Sequence, residues 1–232
     1  MIGFRDVRFT YDGHTNVLDI PSLDIPAGLS IVVGPNGAGK STMLRVAAGV
    51  ERPTFGTVSI GGHDLWREEV AARRLIAYVP EHPELTPYAT IADVLQMVAS
   101  LRGADRSAAA NALARVGLLE VSWHTVRELS MGQRRRALFA TALIGDPTVV
   151  ILDEPLETMD HAMRDLICAW VRERRKAAAV LVATHDFEPF ASMIDSAIVV
   201  RGGAVRVVPA AVLGTGSDVV PRLEELASSP SS

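Results

Sequence analysis

The chain contains 232 residues, of which 48% are hydrophobic and 22% are charged. This balance is typical of a folded globular protein and excludes a mainly disordered one. The formal net charge of −4 gives no overall attraction for nucleic acid, so we expect no nucleic-acid partner. Because a chain of this length can bury one large core, we predict a single domain over residues 1–226 and a disordered tail over 227–232.

The N-terminal third alternates between short apolar segments and turns. Alternating or continuous apolar residues predict strands at Ile2–Phe9, Val17–Ile25, Leu29–Val33, Thr57–Ile60 and Ile76–Val79. Apolar residues with helical spacing predict a helix over Lys40–Ala48. We expect the N-terminal strands to form an antiparallel β subdomain.

The middle of the chain favours helix, and the alternation of strands and helices resumes after it. Helices are predicted at Ile91–Leu101, Asp105–Val116 and Gly132–Ile144, which form a helical subdomain inserted at about 85–145. The segments that follow are strands at Val149–Leu152, Val180–Ala183, Ala197–Val200 and Val205–Val208, with helices at Asp160–Ala177 and around Phe187–Ser192. Apolar strands between helices predict an α/β fold with a mostly parallel central sheet.

A glycine-rich loop connects the predicted strand Leu29–Val33 to the next helix. Its residues fit the pattern G-x-x-x-x-G-K-[S/T], namely Gly34, Pro35, Asn36, Gly37, Ala38, Gly39, Lys40, Ser41 and Thr42. Glycines let the backbone turn its N–H groups toward a triphosphate, and the helix N-terminus adds its positive dipole end. We therefore predict a P-loop NTPase fold that binds a nucleoside triphosphate. Lys40 would reach the β- and γ-phosphates, and Ser41 would bind Mg²⁺.

Two adjacent carboxylates follow the predicted strand Val149–Leu152. They emerge at the edge of the sheet where ligands of such folds bind. We predict that Asp153 holds Mg²⁺ and that Glu154 polarises the water that attacks the γ-phosphate. His185 follows the next predicted strand and is expected to contact the γ-phosphate and this water.

A fourth motif, Leu129-Ser130-Met131-Gly132-Gln133, stands at the start of a predicted helix. With the three preceding motifs it resembles the ATP-binding cassette ATPases, whose signature is Leu-Ser-Gly-Gly-Gln. In that family the signature of one subunit closes over the nucleotide of another, so two subunits enclose two ATP molecules. The resemblance implies that Ser130, Met131, Gly132 and Gln133 contact the other subunit's nucleotide and that Tyr11 stacks on adenine.

Two positions and one loop depart from the pattern of the family. Glu81 replaces a glutamine; its carboxylate still suits Mg²⁺ and a water, and this variant favours an exporter over a binding-protein-dependent importer. Met131 replaces the first glycine of the signature, and the loop Leu156–Asp160 differs from the usual Thr-Ser-Gly-Leu-Asp. Both of these changes lie at the expected dimer interface. They leave open whether the second ATPase subunit is an identical chain or a different one.

The resemblance implies an ATPase that powers transport through a separate integral membrane permease. Such a subunit lies peripherally on the cytoplasmic face of the cell membrane. A soluble cassette ATPase in DNA repair or translation is the alternative, but we interpret the basic run Arg134–Arg136 as the solvated face of a helix. A small-molecule kinase would use the same phosphate loop, yet it would not account for Leu129–Gln133.

Overall fold

A computed structural model of the chain describes residues 1–82 and 85–228, and these residues contain ten strands. All predicted strands are present, with ends that differ by one or two residues at most, and one short strand is added. In chain order they are β1 (Ile2–Phe9), β2 (Leu18–Ile25), β3 (Gly28–Val33), β4 (Phe55–Ile60), β5 (His63–Asp64), β6 (Ile76–Val79), β7 (Val149–Asp153), β8 (Ala179–Ala183), β9 (Ser196–Arg201) and β10 (Ala204–Pro209).

The larger of two sheets has six strands in the order β10-β9-β3-β8-β7-β6. Every pairing in it is parallel except that of β9 with β10. All residues of β3, β7 and β8 are buried, because side chains pack on both faces of the sheet. Parallel strands end at the same edge, so Val32 and Asp153 both lie opposite Ala183.

The smaller sheet has the order β2-β1-β4-β5 and is antiparallel throughout, as predicted for the N-terminal part. Its register shifts between Arg5 and Arg8, where Asp6 adopts a left-handed φ of 52°. Gly56 lies opposite this bulge. A Cβ at position 56 would lie 2.3 Å from the carbonyl oxygen of Asp6, so only glycine fits there.

Eight α-helices are present in the described part of the chain, and none of them is long and apolar enough to cross a membrane. They are α1 (Lys40–Ala47), α2 (Glu69–Arg74), α3 (Ile91–Arg102), α4 (Ser107–Arg115), α5 (Met131–Ala142), α6 (His161–Arg174), α7 (Ala210–Leu213) and α8 (Val219–Ser228). The segment predicted as a helix around Phe187–Ser192 is a 3₁₀ helix, Glu188–Met193.

The helices α3, α4 and α5 pack on one another and form the predicted helical insert. A continuous cluster of buried side chains runs from this insert to one face of the six-stranded sheet. A second cluster fills the space between the other face of that sheet, α1 and the four-stranded sheet. The large sheet is therefore the middle layer of the fold.

The C-terminal helices α7 and α8 have no counterpart in the sequence prediction. In α8, Val219, Leu223 and Leu226 are buried, and the helix packs against β3 and β9. These three buried residues have helical spacing, and the helix that they define continues into the small polar residues that follow. The predicted disordered tail over 227–232 is therefore wrong for Ala227 and Ser228, which close α8, while residues 229–232 lie outside the described residues.

Arg102, the last residue of α3, ties the helical insert to the large sheet. Its Nη1 donates to the carbonyl oxygens of Thr141 at 2.6 Å and Ile144 at 3.0 Å, and its Nη2 donates to that of Ile76 at 2.9 Å. Burial lowers the pKa of the guanidinium to about 10. The group therefore stays charged at neutral pH, and the three carbonyl oxygens replace part of its lost hydration.

Replacing Arg102 by methionine should destabilise the fold, because three backbone carbonyls lose a charged donor. We expect the free energy of unfolding to fall by about 3 kcal/mol in urea denaturation followed by circular dichroism. Arg115→Met is the matched control: Arg115 is exposed at the end of α4, and its loss should cost less than about 0.5 kcal/mol. Equal stability of the two variants would contradict this role of Arg102.

Candidate active site

The glycine-rich loop follows β3 and leads into α1, in the strand-loop-helix context predicted for it. Gly39 precedes the helix with a left-handed φ of 100°, and the amide of Met43 donates to its carbonyl oxygen at 2.8 Å. At Gly34 a Cβ would lie 2.2 Å from the carbonyl oxygen of Val200 in β9, so no side chain fits. The N-terminus of α1 thus opens at the carboxyl edge of the sheet, where its amides can bind an anion.

The ammonium group of Lys40 is held by the loop itself. Its Nζ donates to the carbonyl oxygens of Gly34 at 2.7 Å and Pro35 at 3.0 Å. Burial lowers the pKa of Lys40, while the charges of Glu154 and Asp153 act in the opposite direction. The ammonium group therefore lies within electrostatic reach of both carboxylates.

Asp153 and Glu154 stand at the end of β7. Asp153 is buried, and this burial raises its pKa, while a hydrogen bond with Ser41 opposes the rise. Glu154 adopts a left-handed φ of 48°, and its amide donates to the carbonyl oxygen of Ala183 at 2.8 Å. A left-handed φ is uncommon for a residue with a side chain, and it occurs preferentially at functional sites.

Glu154 and His185 form a close pair. Nε2 of His185 lies 3.4 Å from Oε1 of Glu154, and the amide of His185 donates to Oε2 at 3.4 Å. Burial raises the pKa of Glu154, and the charge of His185 opposes this rise. The carboxylate side chain is 19% exposed and the imidazole 71%. A partly desolvated carboxylate beside an accessible imidazole is suited to polarising a water molecule.

These groups line one open cavity of about 1020 Å³. Of the predicted site residues, those that line it are Tyr11, Asn36, Gly37, Gly39, Lys40, Ser41, Thr42, Glu81, Asp153, Glu154 and His185. The remaining loop residues, Gly34, Pro35 and Ala38, are not among the described lining residues. The structure therefore brings together residues that are up to 174 positions apart in the sequence, from Tyr11 to His185.

Tyr11 lies at the rim of this cavity and is exposed. Its hydroxyl oxygen lies 3.2 Å from Oγ1 of Thr42, which connects it to α1. The ring of Phe9 packs edge-on against it at a centroid distance of 4.7 Å. The Tyr11 ring is thus anchored at the rim of the cavity by Thr42 and Phe9.

The predicted signature residues do not line the cavity as far as the described residues show. Ser130 and Gln133 form a capping box at the start of α5: Oγ of Ser130 accepts from the Gln133 amide at 3.2 Å, and Oε1 of Gln133 accepts from the Ser130 amide at 2.9 Å. Met131 begins the helix, one residue earlier than predicted, and is 57% exposed. The chain's own cavity is therefore built without Ser130, Met131, Gly132 and Gln133.

Ser41, Asp153 and Glu81 supply the oxygen atoms predicted to hold Mg²⁺. The hydrogen bond from Ser41 and the charge of Glu81 both act on the pKa of Asp153, so the three side chains are neighbours. Mg²⁺ prefers such oxygen ligands and is usually bound by one or two carboxylates together with substrate phosphates. These residues therefore fit the ion. Residues 1–82 and 85–228 contain no group of three or more His, Cys, Asp or Glu side chains suited to a metal ion.

The loop Leu156–Asp160 forms one side of the cavity. Thr158 adopts a left-handed φ of 58°, which is strained for a β-branched residue. Asp160 caps α6 by accepting a hydrogen bond from the Met163 amide at 2.9 Å, and it forms an ion pair with Arg136. The loop is therefore anchored to both α5 and α6.

The interpretation of Arg134–Arg136 as a solvated face is wrong for Arg135, which is only 9% exposed. Its guanidinium contacts Glu157 of the loop Leu156–Asp160. Helical spacing offers a signal for this burial, because Leu138, Phe139 and Ala142, at three, four and seven residues further on, are also buried. Arg135 thus belongs to the inner face of α5.

Comparison with known proteins identifies the family. The chain belongs to the ABC transporter family, which matches residues 18–157. It is 38% identical over 191 residues to an ABC transporter ATP-binding/permease protein of Mycobacterium tuberculosis, covering 78% of this chain and 22% of that protein. It is 35% identical over 204 residues to the sulfate/thiosulfate import ATP-binding protein CysA 2 of Rhizobium meliloti, covering 83% of this chain and 55% of that protein. The chain thus spans about a fifth to about half of these two relatives.

Solved structures confirm the predicted P-loop NTPase fold. A structure described as the dimeric post-hydrolysis state of an ATP-binding cassette bound to ADP and Pi matches with a TM-score of 0.76 and 28% identity, covering 93% of this chain and 100% of that chain. A bacterial Atm1-family ABC exporter with ATP bound shares the fold at a TM-score of 0.77 and 22% identity, covering 97% of this chain and 41% of that chain.

The partly buried charge of Glu154 should make the free protein less stable above its raised pKa. A carboxyl group with a raised pKa in the folded state prefers the proton there, so its ionisation destabilises the fold as pH rises through that pKa. Glu154→Gln should therefore raise the Tm by about 2 °C at pH 8. The gain should shrink as the pH is lowered toward 5. Glu120→Gln, at an exposed site, is the control in thermal denaturation, and the same Tm change in both variants would contradict the assignment.

Proposed function

We propose that this chain binds and hydrolyses ATP as the nucleotide-binding subunit of a membrane transporter. The proposal rests on one observation. Lys40, Asp153, Glu154 and His185 line one cavity at the carboxyl edge of the parallel sheet. Membership of the ABC transporter family supports it. So does the similarity to a solved ATP-binding cassette described as bound to ADP and Pi.

The loop of residues 34–42 would hold the phosphates of ATP. Backbone amides at the N-terminus of α1 would bind phosphate oxygens, and Lys40 would exchange the carbonyl oxygens of Gly34 and Pro35 for the β- and γ-phosphates. Ser41, Asp153 and Glu81 would hold Mg²⁺, which when bound neutralises charge on the phosphates. Tyr11 would stack on the adenine at the rim.

Glu154 would orient the attacking water and accept its proton. The water oxygen forms a bond to the γ-phosphorus while the bond from that phosphorus to the bridging oxygen breaks, and ADP and phosphate leave. The raised pKa of Glu154 makes it a better proton acceptor than an ordinary carboxylate. His185, 3.4 Å from Glu154, would hold this carboxylate in place and contact the γ-phosphate.

A second ATPase subunit would complete the site. The residues Ser130–Gln133 lie at the N-terminus of α5, away from the chain's own cavity, and Met131 is exposed there. We infer that they close over the nucleotide of the other subunit, which is an identical or a different chain. The related solved cassette is described as dimeric, which supports this arrangement.

A membrane permease would change conformation when the two ATPase subunits close over the nucleotide. Several large apolar side chains of the helical insert are exposed, among them Tyr88, Met97 and Leu101. We propose that this surface and the loop at Glu81 contact a separate permease at the cytoplasmic face of the membrane. Related proteins are named as transporter ATP-binding proteins, and one name includes a permease.

Export is the direction that we predict from Glu81, and the substrate is chosen by the permease. Several relatives are named import proteins, for sulfate/thiosulfate and for Fe(3+). The comparisons therefore support transport as such and do not favour export over import.

Glu154→Gln should lower ATP hydrolysis about hundredfold or more, because the proton acceptor is lost. ATP binding should persist, and the variant should elute as a dimer in size exclusion with ATP and Mg²⁺. The measurement is release of free phosphate, with Glu120→Gln as the control that retains the wild-type rate. Hydrolysis by Glu154→Gln at the wild-type rate would overturn the role of Glu154, and a phosphorylated metabolite in place of free phosphate would indicate a kinase.

Purification of tagged Glu154→Gln from gently solubilised membranes of the source cells tests the transporter assignment. We expect an integral membrane protein in stoichiometric amount, because the ATP-bound dimer stays associated with its permease. The same purification of Lys40→Ala, which should not bind ATP, is the comparison. Recovery from the soluble fraction alone, with nucleic acid or ribosomes attached, would favour the alternative of a soluble cassette ATPase in DNA repair or translation.

A further inference from the structure

Arg135 lies on the inner face of α5, and its side chain is only 10% exposed. Buried arginines need partners for their guanidinium, because an unpaired buried charge is costly. The partners of Arg135 come from two loops that leave adjacent strands of the large sheet: the loop after β6, which carries Glu81, and the loop after β7, which carries Glu157.

The three contacts of Arg135 are short and differ in kind. Nη1 donates to the carbonyl oxygen of Glu157 at 2.5 Å, and Nη2 donates to the carbonyl oxygen of Glu81 at 2.8 Å. Nη2 also pairs with Oε2 of the Glu157 carboxylate at 2.9 Å. The planar guanidinium thus bridges two separate backbone segments, which a lysine ammonium cannot do with the same geometry.

Arg135 stands next to the candidate reaction centre without entering it. Together with Glu81, Asp153 and Glu154 it lines a narrow crevice, and the charge of Glu81 acts on Asp153. A donor to the Glu81 backbone therefore restrains the residue whose carboxylate acts on Asp153.

The loop after β7 has a backbone conformation that needs contacts such as those of Arg135 to hold it. Thr158, next to Glu157, has a φ of 58°, and a strained conformation persists only when its surroundings hold it. The preceding arginine of the helix does not supply this support, because Arg134 donates to the carbonyl oxygens of Val126 and Arg127, which are not among the described residues that line the cavity.

We propose that Arg135 is a positioning residue that holds the loops of Glu81 and Glu157 against each other and thereby sets the Glu81 carboxylate at the Mg²⁺ site. This role rests on the proposed function, because it concerns the ion that accompanies ATP. Arg135 touches neither nucleotide nor ion, and it acts through Glu81. Its loss should therefore weaken the response to Mg²⁺ more than the binding of the nucleotide itself.

The test is thermal denaturation with a non-hydrolysable ATP analogue, first in EDTA and then over a range of Mg²⁺ concentrations. Arg135→Met should keep the Tm increase caused by the analogue in EDTA. It should require about tenfold more Mg²⁺ to reach half of the additional increase, as expected when a residue that orients a metal ligand is removed. Arg134→Met removes a guanidinium from the same helix and should behave like the wild type.

Arg135→Lys keeps the charge and most of the packing, so it still tests the proposal if Arg135→Met does not fold. The Mg²⁺ concentration that it requires should lie between those of the wild type and Arg135→Met, because one ammonium cannot satisfy acceptors in both loops. Equal Mg²⁺ requirements in the wild type, Arg135→Lys and Arg134→Met would overturn the role of Arg135 alone. A wild-type chain whose Tm does not respond to the analogue would overturn the proposed function and this role with it.

Discussion

The parallel register of β3, β8 and β7 fixes the relative positions of the phosphate loop, the carboxylate pair and His185, which are proposed to act on the phosphates of ATP. Val32 of β3 and Asp153 of β7 both lie opposite Ala183 of β8. The phosphate loop, the carboxylate pair and His185 therefore leave the sheet side by side, although they are far apart in the chain. A shift of one residue in β7 would turn Asp153 to the other face of the sheet and separate it from Ser41.

Burial at this edge of the sheet gives the charged groups their properties. It raises the pKa of Asp153 and Glu154 and lowers that of Lys40. The charge of Lys40 opposes the rise at Asp153, that of His185 opposes the rise at Glu154, and both carboxylates oppose the fall at Lys40. The lysine is additionally held by two loop carbonyls. A bound phosphate group would satisfy the ammonium in place of these carbonyls, in an environment where charges interact more strongly than in water.

Two arginines connect the helical insert to the rest of the fold. Arg102 joins the ends of α3 and α5 to β6, and Arg135 joins α5 to the loops after β6 and β7. Each uses the several donors of one guanidinium to satisfy backbone carbonyls from different elements. The proposed contacts with a second ATPase subunit, at the start of α5, are therefore linked to the chain's own cavity through hydrogen bonds as well as apolar packing.

The sequence by itself determined the phosphate loop, the carboxylate pair, the family and the order of strands and helices, because these depend on local spacing of glycine, apolar and charged residues. Only the tertiary structure decided which arginine is buried, since three consecutive arginines look alike until α5 packs against the two loops. It also decided that Ser130–Gln133 are not among the described residues that line the cavity and that Ala227 and Ser228 are helical. Helical spacing gives a signal for the burial of Arg135 and for α8, but no local pattern identifies the distant segments that they contact.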